Sequence, residues 1–315
     1  MKKERKIIIE AISGSKLYGT EHAESDDDFY GVFLPSTEDI FSLHQCPRQV
    51  DLSIKISKGP KNEKGDIDRK FDMLSNYLLG LSQGQSKNIE LLFSPKKSWI
   101  SHTDEWLEIT SNRELFISQN SLTPFLGFAL SQVSQSIIKG KDLNLVKEVI
   151  KILESKDQSL TIENNIDDNL RNLVTFELDK QNVKFFRICG KNIQTVLKTK
   201  VAINNLKAIE SRFGYRSNMS AAHGFDYKSI SHAYRMILEA EELLTTGKIT
   251  LPFDKEKSDF LRSVKFGQYQ ADYQQELFEK YTKVKAIQSS LPANVDVKKI
   301  EGLCQSLLSK YFESK

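Results

Sequence analysis

Cysteine is scarce in this chain. There are three, Cys46, Cys189 and Cys304, widely spaced and odd in number. They make neither a disulfide framework nor a zinc signature, so inert thiols in a reducing, cytoplasmic setting are expected. Glycine (15) and proline (7) are also few for 315 residues, which excludes collagen-like and low-complexity classes. Long apolar runs are missing: nothing approaches the roughly 20 residues of a membrane span. Only Ile7-Ile8-Ile9 follows the basic start Met1-Lys2-Lys3-Glu4-Arg5-Lys6, too short for the apolar region of a signal peptide. No internal repeat is visible, and His22, His44, His102 and His223 lack metal-ligand spacing.

What is present reads as a globular chain of one large or two ordinary domains, 39% hydrophobic and 28% charged. Residues 1–125 are expected to be a mixed α/β domain. Strands are predicted over Lys6–Ile12, Phe29–Leu34, Val50–Ser57 and Asp68–Asp72, with helical spacing over Leu74–Leu81. Residues 126–315 are expected to be a mainly helical domain, with helices over Leu145–Leu153, Val183–Leu206 and Lys228–Leu244. Gly247 follows the last of these as a stop signal, with Pro252 beyond it. Gln158–Asn169 is polar and reads as a loop. The first part holds 16 Lys+Arg against 19 Asp+Glu, net −3, and the second 29 against 23, net +6. An acidic site beside a basic half suits a metal centre facing a polyanion; ordinary solvated faces explain the same numbers.

The densest chemistry lies between Ile12 and Pro35. Gly14-Ser15 follows an apolar strand, and Asp26-Asp27-Asp28 comes about a dozen residues later. A small-residue turn lets backbone N–H groups approach phosphate oxygens. Carboxylates at i and i+2 of a strand share a face and can share a Mg²⁺ ion, which selects Asp26 and Asp28. A third carboxylate comes from Gly65-Asp66-Ile67-Asp68; Asp68 is the choice, although Asp66 shares its strand face. Three carboxylates can hold two ions, one for the triphosphate and one for the attacking hydroxyl.

These residues resemble the DNA polymerase β nucleotidyltransferase superfamily, and more closely its RNA-ligase-associated members from bacteria and bacteriophages. Carrying the likeness are Gly14-Ser15-Lys16-Leu17-Tyr18-Gly19-Thr20, Ser25-Asp26-Asp27-Asp28 and Gly31-Val32-Phe33-Leu34-Pro35. Two later blocks join them: Asp68-Arg69-Lys70-Phe71 through Asn88–Phe93, and Lys228-x-x-x-His232-x-x-Arg235 leading to Glu241–Pro252. The resemblance implies a nucleotidyltransferase domain followed by a helical one. It implies that Gly14 and Ser15 contact triphosphate and that Asp26, Asp28 and Asp68 bind Mg²⁺ or Mn²⁺. Asp27 stands where the wider superfamily carries an apolar residue, so a register using Asp27 stays open. The implied reaction moves a nucleoside monophosphate from an NTP, ATP being the expected one, to an acceptor hydroxyl. RNA is the expected acceptor by the family's association with RNA ligases. Nucleotidylation of a protein hydroxyl is the alternative, and a non-catalytic nucleotide- or RNA-binding module is a third reading. No membrane partner is expected.

Lys228, His232, Arg235 and Glu239 fall at i, i+4, i+7 and i+11, one helical face. Spacing alone reads this as a solvated face with an Arg235–Glu239 pair worth about 0.3–0.5 kcal/mol. The resemblance instead makes Lys228, His232 and Arg235 a clamp for phosphates or an RNA backbone. Glu90, an isolated acid in an apolar helix, reads as structural, capping or pairing with a basic group. The lysine-rich segment Lys55–Lys64 reads as a surface loop, and Phe185-Phe186 as core.

Overall fold

In the computed structural model, residues 5–23, 25–41, 43, 46–56, 65–120, 122–211 and 226–314 are described. His44, His223 and residues 57–64 of the lysine-rich segment lie outside them. The chain forms two compact units, residues 1–130 with 231–315, and residues 131–230.

The first unit is built on the strand β1 (Lys6–Ile12), whose Ile8, Ile9 and Ala11 are fully buried. A short helix α1 (Gly14–Tyr18) leads to β2 (Asp27–Leu34), which runs back antiparallel to β1. The helix α2 (Thr37–Phe41) follows Pro35; its buried Asp39 accepts both arms of the Arg5 fork at 2.9 Å. Next come β3 (Gln49–Asp51) and β4 (Ile67–Met73), then α3 (Leu74–Ser82), α4 (Ser86–Leu92), β5 (Trp99–His102) and α5 (Asp104–Ser111). The sheet order is β3-β4-β2-β1-β5. Among the described residues only β2 and β4 pair in parallel; a connection running through the short strand β3 permits that. Their register sets Asp28 against Asp68 and Tyr30 against Lys70. Gly31 permits the close packing of these strands: a Cβ there would lie 2.2 Å from the Ile9 carbonyl and 2.6 Å from the Phe71 ring.

Helices cover the sheet with fully buried Leu74, Tyr77, Leu81, Ile89, Leu92 and Trp106. The helix α6 (Leu122–Glu154) carries the chain onward into the second unit.

That unit has its own core, in which Val146, Val149 and Leu153 of α6 meet Leu170, Phe186, Ile193, Ala202 and Leu206. Its elements are α7 (Asp168–Leu173), capped by Asp167 accepting from the Leu170 N–H, then β6 (Phe176–Leu178), β7 (Lys184–Ile188) and β8 (Lys191–Gln194), and α8 (Thr199–Glu210). The antiparallel meander β6-β7-β8 corrects the helix expected from Val183. Cys189 and Gly190 both have positive φ, 49° and 71°. Two such residues between paired strands make the turn whose twist suits a hairpin, and they stop a helix. Helix forms only from Thr199.

The helix α9 (Tyr227–Thr246) begins in the second unit and ends in the first, closing at Gly247 with φ 71°. After it come α10 (Lys255–Lys265), α11 (Tyr273–Lys285) and α12 (Val297–Glu313). These last helices belong to the sheet unit, so the two units do not follow a boundary at 125/126. The reason is packing: Leu307 and Tyr311 of α12 are buried, Lys310 reaches Glu108 at 2.9 Å, and the Phe253 N–H donates to the Tyr18 carbonyl at 3.3 Å. Among the described residues no helix is long and apolar enough to cross a membrane. All three cysteines are free thiols; burial pushes Cys189 up to about 11 and raises Cys304, which disfavours the reactive thiolate.

Candidate active site

The parallel register of β2 and β4 brings Asp28 and Asp68 side by side on one sheet face, because strand neighbours point the same way. The turn after β1 closes over them. The Ser13 N–H donates to the Asp28 carbonyl at 2.8 Å, and Gly14 follows with φ 62°. A Cβ at residue 14 would fall 2.1 Å from Asp28 Oδ2. Only glycine lets this carboxylate lie against the backbone of the turn.

Ser13, Gly14, Asp28, Asp68, Lys70 and Lys87 share the wall of a cavity of about 240 Å³. Ile12, Leu17, Tyr18, Phe29, Tyr30 and Leu91 form its less polar part, beside Glu90. Asp68 is held from two sides. Ser53 Oγ donates to Oδ1 at 3.0 Å, and the Lys70 ammonium lies 2.9 Å from Oδ1 and 3.0 Å from Oδ2. The hydrogen bond to Asp68 raises the Lys70 pKa over the opposing effect of burial, and attraction by Asp68, Asp51 and Asp28 adds to it. Lys87 sits 4.7 Å above the Tyr30 ring and 3.4 Å from buried Asp72, which also accepts from Tyr30 Oη and from Gln49 at 2.7 Å. That network fixes Tyr30 and Lys87 in the cavity wall.

Not every expected residue arrives. Asp26 lies just before β2, half-buried, and does not border the cavity. Asp27 is exposed and ion-paired with Lys16. Asp66 is buried and accepts the Ile56 N–H at 2.7 Å, a local structural bond; Asp68, not Asp66, faces the cavity. Ser15 uses its carbonyl to accept the Thr20 N–H at 2.9 Å and does not border the cavity, whereas Ser13 does. Among the described residues no three His, Cys, Asp or Glu side chains are grouped so as to hold a metal ion. The donor chemistry still fits a hard divalent cation at two points. Asp28 and Asp68 offer carboxylate oxygens, and a cation, the Lys70 ammonium, already stands on one of them.

The face on α9 differs from both readings of its spacing. Lys228 and His232 are half-buried, while Arg235 and Glu239 are buried. Arg235 Nη1 bonds to Glu90 Oε1 and lies 3.1 Å from Glu239 Oε1. Its guanidinium stacks 3.9 Å from the Tyr18 ring centroid, and Tyr18 Oη donates to Glu90 Oε2 at 2.5 Å. Burial opposes the Arg235 charge, but Glu90, Tyr18 and Glu239 outweigh it and its pKa is raised. Burial above all, with the neighbouring Glu90 carboxylate, pushes Glu239 well above the usual carboxyl range. One guanidinium thus serves two buried carboxyl groups. Glu90 has the basic partner expected of it.

Sequence reasoning missed Ser13, Tyr18, Tyr30, Lys70 and Lys87 as cavity residues. Lys70 was within reach, since it stands at i+2 from Asp68 and must share its strand face. Lys87 had no such signal.

Comparison with known proteins yields a family and a relative. The family model RlaP, described as the RNA repair pathway DNA polymerase beta family, matches residues 1–314. An uncharacterized 38.9 kDa protein from the nrdC–mobD intergenic region of Enterobacteria phage T4 is 25% identical over 296 residues, covering 87% of each chain. No solved structure matches. With Gly14, Asp28 and Asp68 gathered at one cavity and the family model spanning nearly every residue, the chain belongs to the RNA repair pathway DNA polymerase beta family.

Proposed function

We propose that this protein transfers a nucleoside monophosphate from an NTP to the hydroxyl of an RNA acceptor. The observation that carries this reading is the placement of Asp28 beside Asp68, under the Gly14 turn, at one cavity. The family's RNA repair description supports RNA as acceptor. In the reaction the acceptor oxygen bonds to the α-phosphorus and the hydroxyl proton is released. The bond to the β-phosphate oxygen breaks, and pyrophosphate leaves with the electron pair.

A Mg²⁺ or Mn²⁺ ion bound by Asp28 and Asp68 would offset phosphate charge and activate the attacking hydroxyl. The chain's own part is mainly positioning and electrostatics. Ser53 holds Asp68 in place, and Gly14 lets Asp28 sit close to the turn. The backbone of Ser13–Ser15 would meet the triphosphate. Leu17, Leu91, Tyr18 and Tyr30 give the same cavity an apolar and aromatic wall. ATP is the first donor to try.

The test uses each of the four NTPs labelled on the α-phosphate, with Mg²⁺ or Mn²⁺, total RNA and cell lysate. Label on RNA, lost in Asp28→Asn, is expected. Label only on a protein hydroxyl would replace RNA by a protein acceptor, and no label on either would overturn the transferase reading.

A further inference from the structure

The Lys70 side chain belongs to neither the turn nor the carboxylate set, yet it borders the same cavity. It lies on the same sheet face as Asp68, two residues on, and spans both Asp68 oxygens at 2.9 and 3.0 Å. Ser53 holds Asp68 Oδ1 at 3.0 Å. A divalent cation taking Asp68 must therefore take an oxygen from the ammonium, while Ser53 keeps the carboxylate aimed. The lysine side chain is 41% exposed, so its four-carbon stem is free to swing. It also borders the cavity, as do Gly14 and Asp28. Once displaced, the ammonium remains inside a cavity that an anionic ligand would share with the metal.

We propose that Lys70 is a positioning residue with two successive partners: it neutralises Asp68 in the metal-free protein and passes to a phosphate of the substrate when a divalent cation takes its place. This rests on the transferase reading of the same cavity. Its consequence is that metal and triphosphate favour each other's binding through one side chain. Metal alone must break the Lys70–Asp68 pair without compensation. Metal with triphosphate breaks it and gives the ammonium a new anion. Such linkage works in both directions, as binding free energies require.

The signature is a pair of opposite shifts, which a merely structural lysine would not produce. The probes are Mn²⁺ alone and Mn²⁺ with inorganic tripolyphosphate, each measured by calorimetry on the full chain. Lys70→Gln should bind Mn²⁺ alone about threefold to fivefold tighter, the scale of a partly exposed ion pair no longer in competition. It should bind Mn²⁺–tripolyphosphate about tenfold weaker or worse, the scale of one lost charged hydrogen bond. Lys70→Arg, which keeps the charge, should restore the phosphate affinity at least in part. Shifts in the same direction, or no shift in either, would overturn the hand-over. If wild type binds Mn²⁺ and loses it in Asp28→Asn while Lys70→Gln lacks the opposite shifts, only this inference falls. If wild type binds no Mn²⁺ with or without tripolyphosphate, the transferase reading falls with it.

Discussion

Replacing Arg235 by Met should weaken the fold first and ligand binding only as a consequence. Its guanidinium serves Glu90 and Glu239, both nearly or fully buried, and stacks 3.9 Å from the Tyr18 ring. Removing one partner of a buried ion pair leaves the other charge stranded, at a cost of about 3–5 kcal/mol. For a unit of this size that is a fall in Tm of roughly 6–20 °C. The pH dependence follows from sign. Glu239 has a raised pKa in the folded state, so its stabilising contribution is full below the unfolded carboxyl pKa of about 4.3 and is lost as pH rises through the folded value. Without Arg235, Glu239 also loses the attraction and the hydrogen bond that favour its charged form. The variant should therefore lie closest to wild type near pH 5 and furthest from it near pH 8. Adding Glu90→Gln and Glu239→Gln should recover much of the loss at pH 8. Urea and thermal unfolding at the two pH values measure all of this. A variant with unchanged Tm at pH 8 and weakened NTP or RNA binding would refute the buried-cluster account and restore Arg235 as a phosphate clamp.

The other expected outcomes are briefer. Asp28→Asn should abolish nucleotide transfer yet keep or slightly raise Tm, since it removes repulsion from Asp68; retained transfer in the Asp26→Asn, Asp28→Asn double variant would sink the mechanism. Gly14→Ala should lose about 1–2 kcal/mol from its positive φ alone and also displace Asp28, whose Oδ2 lies 2.1 Å from the added Cβ, so transfer and Tm should fall together. At Gly190, φ is 71° but nothing lies within 4 Å of a new Cβ. Gly190→Ala should thus cost only about 1 kcal/mol of backbone strain, read as a small loss of stability with transfer intact.

The sheet was largely legible because its signals are local. Lys6–Ile12 is a β-branched run and forms β1 over those same residues. Asp68–Asp72 lies within β4, and Leu74–Leu81 within α3. The hairpin β7–β8 was not legible from apolar spacing. Val183, Phe186 and Ile193 stand three and seven apart, which fits a helical period, and the deciding fact was the left-handed backbone at Cys189 and Gly190. Unit membership was hidden for another reason. Whether α12 packs on the sheet unit depends on contacts such as Lys310–Glu108, made between residues about two hundred positions apart.

The site shows a sharper limit. Spacing can say which residues share a face, but not what covers that face. Lys228, His232, Arg235 and Glu239 do follow one helical stripe, and both a phosphate clamp and a solvated ladder of charges assumed water above it. The structure instead buries Arg235 and Glu239 and gives the guanidinium an acid from α4. Strand spacing carried more weight, because in a sheet the face and the neighbour come together. In the register in which β2 and β4 pair, Asp28 meets Asp68 and Tyr30 meets Lys70. That same constraint delivers both the carboxylates that a divalent cation would use and the ammonium that stands in its way. In this site the counter-charge is Lys70, two residues after Asp68 on the same strand face. A nucleotide that brings both a cation and phosphates can satisfy each partner at once, which neither a bare ion nor a bare phosphate can do.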